Sequence, residues 1–121
     1  MPERDWLFRL DDMLVCTRRA IAYVGSLTER ELAANQLVLD AVLRNLEIIG
    51  EAATQLPEAC RTRHASIPWP EIRGMRNRIV HDYPGIDVAI VYRTVTSDLK
   101  QLELALGSAI DFEKALRNTP P

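Results

Sequence analysis

Apolar residues recur at steps of three and four along almost the whole chain, the spacing of helices that each bury one face. Over residues 4–26 the line is Trp6, Leu10, Met13, Leu14, Thr17, Ile21 and Val24, with Gly25 as a natural stop. A second helix is predicted from Thr28, which has Glu31 three residues on in the capping-box pattern, to Leu56 before Pro57. Within it Leu32, Leu39, Leu46 and Ala53 make one line at steps of seven, and Val42, Ile49 and Leu56 a second, as in helices packed nearly side by side. Gly50 interrupts this helix at a cost of about 1 kcal/mol relative to alanine, which predicts close approach by another helix.

Residues 61–69 read as a connection, with Pro68 and Pro70 as breakers and Pro70 suited to the first turn of a third helix. That helix presents Ile72, Met75 and Ile79 on one face and ends before Pro84-Gly85. A fourth starts at Asp87, a good N-cap, and carries Val88, Val91, Val95, Leu99, Leu102 and Leu106. A short final helix would use Ile110, Phe112 and Leu116, and residues 118–121 are expected to fray. Strand-like alternation, repeats and low-complexity linkers are absent. The prediction is an all-α fold, an antiparallel bundle of four to five helices forming a single domain over residues 1–121.

Composition adds limits. With 47% apolar and 26% charged residues the chain is an ordinary globular one. Cys16 and Cys60 fall where a helix places small core residues; they make no disulfide framework, and no Cys/His spacing resembles a zinc site. No metal and no cofactor is expected. The mixed charges of residues 1–12 do not make a signal peptide, and no apolar run reaches membrane-spanning length, so the expectation is a cytoplasmic protein that does not meet the membrane.

Charge is unevenly spread. The net charge is −2, yet between Arg61 and His81 stand five arginines and a single acid, Glu71. A basic segment on an acidic body predicts a local anion site, and arginine suits phosphate because its planar fork donates two hydrogen bonds at once. Of the two histidines, His64 reads as an exposed loop residue. His81 ends the third helix among Arg76, Asn77, Arg78, Asp82 and Tyr83. Arg73, Asn77 and His81 step by four and share a polar face, while Arg76 and Tyr83, seven apart, share the neighbouring one. Arg76 and His81, five apart, diverge by about 140° on a regular helix. They meet on one phosphate only if the helix end distorts or two copies of the chain face each other. The bland reading is that a charged helix face is solvated surface and that His81 merely favours the helix dipole.

The run Arg76, His81 and Tyr83 is R-x4-H-x-Y, and it resembles the signature of HEPN-domain toxins of the HepT-like branch. Leu46-Glu47-Ile48-Ile49-Gly50-Glu51-Ala52-Ala53 resembles that family's mid-helix segment. Ile67-Pro68-Trp69, then Gly74-Met75-Arg76-Asn77, resembles its approach to the motif. The resemblance spans residues 38–106 and implies a HEPN-like bundle that forms a homodimer through the motif face. It implies a metal-independent endoribonuclease acting on RNA, with Arg76 and His81 as the catalytic pair and Arg73, Asn77 and Arg78 in supporting or phosphate-binding positions. It implies the toxin of a type II or type VII-like toxin–antitoxin system. The partner would be a minimal nucleotidyltransferase antitoxin that attaches AMP to the motif tyrosine, here Tyr83. Two alternatives are a non-catalytic nucleotide- or substrate-binding subunit of a two-component nucleotidyltransferase, and a helical adaptor whose motif face is a dimer core.

Overall fold

The computed structural model describes residues 6–118. In chain order these form α1 (Leu7–Val24), α2 (Glu29–Ala33), α3 (Gln36–Thr54), α4 (Glu58–Arg63), α5 (Trp69–Asp82), α6 (Val88–Arg93) and α7 (Leu99–Arg117), with no strand among the described residues. A π-helical turn, Thr94–Asp98, joins α6 to α7, so residues 88–117 make one continuous rod. Around that turn the hydroxyls of Thr94 and Thr96 bond back to the carbonyls of Ile90 and Tyr92, and so compete with the regular ladder. Four long helical pieces thus carry the fold, α1, α3, α5 and the α6–α7 rod, with α2 and α4 as short connectors.

Cross-helix contacts fix their directions. Arg117 lies over the ring of Trp6, Arg18 pairs with Glu103, and the Tyr92 hydroxyl donates to the Leu27 carbonyl, so α1 runs antiparallel to the rod. Tyr83 bonds to Asp40 and Arg76 approaches Glu51, so α5 runs antiparallel to α3. The core follows the predicted lines: Leu32, Leu39, Val42, Leu46, Ile49, Ala53 and Leu56 are all buried, as are Leu10, Met13, Val91, Leu99, Leu102 and Leu106. Both cysteines are buried and free. α5 packs chiefly on α3. Beside it Leu46, Ile49, Ile72, Met75, Leu99 and Leu102 wall an apolar cavity of about 530 Å³.

Several boundaries differ from expectation, each for a local reason. The long second helix is broken: α2 ends at Ala33 and Asn35 caps α3, its side chain accepting from the Val38 N–H at 3.1 Å. The heptad lines survive because the break keeps both pieces against the same core. The capping box at Thr28 and Glu31, the N-cap at Asp87 and the stop at Gly25, whose φ is +51°, stand as expected. Part of the predicted connection is helical, as α4. No separate final helix exists, because α7 continues through to Arg117 with Phe112 and Leu116 on its exposed side. Of the predicted frayed tail, residues 119–121 lie outside the described residues. No helix of the described residues is long and apolar enough to cross a membrane.

Candidate active site

The helix α5 is fixed at three points. At its start Trp69 is buried and its indole N–H donates to the carbonyls of Arg61 and His64, each at 3.1 Å. At its end the Tyr83 N–H closes on the Ile79 carbonyl and the Tyr83 hydroxyl donates to Asp40 Oδ1 at 3.1 Å. At its middle it crosses Gly50 of α3. A Cβ on Gly50 would overlap Arg76 Cβ, lie 2.7 Å from Arg76 Cγ and lie 3.4 Å from the Ile72 carbonyl. The glycine predicted to admit a neighbouring helix therefore admits this one, at the arginine of the motif.

That contact shapes the Arg76 environment. Its stem lies on the α3 backbone, its Nε is buried with no acceptor among the described residues, and its side chain is 35% exposed. Glu51 Oε1 stands 3.6 Å from Nη2 and Asn77 Oδ1 accepts from Nη1 at a long 3.4 Å. Neither contact is close enough to quench the guanidinium, which keeps donors for an incoming anion. Glu51 instead holds the fork by Coulomb attraction.

Arg73, Asn77, Arg78 and His81 are exposed along the outer side of α5, and among the described residues no hydrogen bond or ion pair engages Arg73, Arg78 or His81. α5 stays α-helical through Asp82, so Arg76 and His81 leave it in directions about 140° apart. No distortion brings them together within one chain. Tyr83, the C-cap of α5, is 49% exposed, so its hydroxyl is solvent-reachable yet bonded to Asp40, which also accepts from Gln36 Nε2 at 2.7 Å. Asp40 holds the phenolic proton on and pushes Tyr83 above the usual tyrosine range, first by that hydrogen bond and then by its charge.

The basic segment is not one site. Arg61 donates to the carbonyls of Leu56 and Ala53 and so satisfies the end of α3. Arg63 forks onto Glu113 through Nε at 2.9 Å and Nη2 at 2.8 Å. Arg73, Arg76 and Arg78 of α5 are what remain for an anion. His64 is no exposed loop residue: its Nε2 lies 2.7 Å from Glu113 Oε2, its ring stands edge-on to Phe112, and its side chain is 11% exposed. Burial of Glu113 on α7, which helical periodicity could not flag in a charged residue, draws both partners in. The Arg63 hydrogen bonds, which outweigh the desolvation, and the His64 contact together hold its carboxyl below the usual range. Cys60 Sγ lies with these groups, all three ligand-type atoms being within 4.8 Å of one another, but both carboxylate oxygens already face cations. Asp40 and Glu51 escaped the sequence reading because the neighbours that give them meaning lie on another helix.

A helical bundle that displays an arginine, asparagine and histidine face on one outer helix, with R-x4-H-x-Y at its end, is of the HEPN class. The model of the ribonuclease HepT-like family matches residues 13–109, and the chain belongs to that family of ribonucleases. It is 33% identical to a protein of Caldanaerobacter subterraneus named "Putative RNase", over 78% of this chain and 84% of the relative. A Methanocaldococcus jannaschii protein of the same description is 30% identical over 98% of this chain and 97% of its own length. A Thermococcus cleftensis protein named "Probable ribonuclease HepT" is 36% identical over 76% of this chain and 87% of the relative. No solved structure matches the chain with significance.

Proposed function

We propose that this ribonuclease is the toxin of a toxin–antitoxin pair, a metal-independent endoribonuclease using Arg76 and His81. The observation that carries this is the Arg76 guanidinium, whose buried Nε lacks an acceptor, on the same outer helix as His81, whose side chain has no partner among the described residues. Cleaving RNA without a metal requires a base for the 2′-hydroxyl, positive charge for the phosphorane and an acid for the leaving oxygen. The imidazole of His81 can serve as base or acid in such a step. Arg76 supplies the charge, and Arg73, Asn77 and Arg78 position the strand. Because one regular helix cannot aim Arg76 and His81 at the same phosphate, the cleft is formed between two copies of α5 about a two-fold axis.

Tyr83 is the point of control in this reading. A minimal nucleotidyltransferase antitoxin attaches AMP to its hydroxyl, and the added phosphodiester and base repel and block an RNA phosphate beside Arg76. The test is cleavage of RNA by purified protein in excess chelator, with His81→Ala as control. Cleavage that survives the chelator and vanishes in His81→Ala is expected. Cleavage that needs an added divalent cation, or that persists in His81→Ala, overturns the mechanism. Co-expression with the antitoxin, read by intact mass, is expected to add AMP to the wild type and none to Tyr83→Phe. An unmodified wild type overturns control by modification.

A further inference from the structure

Tyr83 and Asp40 are 43 residues apart in sequence and share a hydrogen bond at the mouth of an open cleft between α3 and α5. The cleft measures about 390 Å³, and Leu43, Ile79 and Val80 give it apolar walls. Arg44 is the one cation lining it among the described residues, and its contact to Glu47 is a loose 3.8 Å. A volume of a few hundred cubic ångströms suits a nucleotide-sized group. The hydrogen bond itself is exposed, where water competes with it and its net contribution to stability is small. Asp40 is nonetheless oriented, because Gln36 holds the same carboxylate oxygen at 2.7 Å.

A neutral phenol is a poor nucleophile, since its proton leaves only near pH 10 unaided. An adjacent base, itself oriented by a third group, is the usual means of activating such a hydroxyl. Gln36, Asp40 and Tyr83 stand in that order. We propose that Asp40 is the catalytic base for nucleotidylation of Tyr83. Tyr83 Oη forms its bond to the α-phosphorus of a nucleoside triphosphate. The bond from that phosphorus to the bridging oxygen breaks, pyrophosphate leaves, and the phenolic proton passes to Asp40 Oδ1 and then to water. Arg44 faces the charge of the transferred phosphoryl group. The ribonuclease thus carries part of the machinery of its own inactivation. This rests on the reading of Tyr83 as the modified residue.

The test follows AMP incorporation by intact mass after mixing purified protein with the minimal nucleotidyltransferase and ATP. Wild type is expected to gain the group and Tyr83→Phe to gain none. Asp40→Asn keeps the size and the acceptor oxygen but cannot take the proton. It is expected to react slower by a factor on the order of 100 in maximal rate at saturating antitoxin, with Asp40→Glu recovering part of the loss. Modification of Asp40→Asn at the wild-type rate, or a loss that disappears at saturating antitoxin, overturns the role of Asp40 and leaves the Tyr83 reading intact. No modification of the wild type, or equal modification of Tyr83→Phe, overturns both.

Discussion

Arg76 and His81 differ in what they cost to remove. His81 is exposed and without a partner among the described residues, so His81→Ala is expected to shift unfolding free energy by no more than roughly ±0.5 kcal/mol while abolishing RNA cleavage. Arg76 buries its stem against α3, so Arg76→Ala also loses packing, and a cost of about 1 kcal/mol is expected with the loss of activity. Urea denaturation beside a cleavage assay separates the two effects. Wild-type cleavage by either variant at equal concentration would remove these residues from the mechanism.

Gly50 shows how an element acts through one position. Wherever α3 carries a side chain there, α5 must retreat at Arg76, and retreat moves the guanidinium away from Glu51. Gly50→Ala would gain helix propensity of about 1 kcal/mol in isolation. Overpacking at the crossing is expected to outweigh it, giving net destabilisation of roughly 1–2 kcal/mol and reduced cleavage. A thermal melt decides the sign, and a Gly50→Ala protein more stable than wild type would show that the close approach is not rigid. The π-helical turn at Thr94–Asp98 is the other feature at this scale: it joins two helices into one rod that packs along α1.

At the scale of the whole molecule, one buried ion cluster ties α4 to α7. Arg63→Ala would leave Glu113 buried with His64 as its remaining partner, and a loss of about 3 kcal/mol is expected. The pH sign follows from the lowered carboxyl. Its contribution is fully present above the ordinary value of 4.5 and is lost as pH falls through the lower folded value. Wild type is therefore expected to lose stability on acidification below that window, and Glu113→Gln to lose less of it over the same range. Parallel acid titrations of the two proteins followed by circular dichroism check this, and an equal loss in both would refute the assignment. Assembly is the second prediction here. The motif lies on an outer helix held chiefly by α3, which leaves its polar face open, and the proposed mechanism completes the cleft with a second copy. Sedimentation is expected to show a dimer, and specific activity to fall on dilution below its dissociation constant. A fully active monomer would oppose the shared cleft.

The sequence by itself determined the main helices, most of their buried faces and the family, but not the break before Gln36, the short helix α4 or the continuity of α7 to Arg117. Periodicity at three and four residues marks what must leave water, and caps such as Thr28 and Asp87 act within a few residues of themselves. It also placed Arg73, Arg76, Asn77 and His81 on one helix, because helical geometry converts spacing directly into direction. Even Gly50 was legible as a crossing point, though not which helix crosses it. Only the tertiary structure decided what the charged residues do. Arg61, Arg63, Arg73, Arg76 and Arg78 look alike in sequence, yet two serve the fold, two face outward and Arg76 lies with its stem in the crossing of α3 and α5, since a charge takes its meaning from whatever lies within a few ångströms. His64 moved from surface to largely buried partner for that reason, when Glu113, 49 residues away, was carried beneath it. Asp40 gained its tyrosine in the same way, across 43 residues of chain.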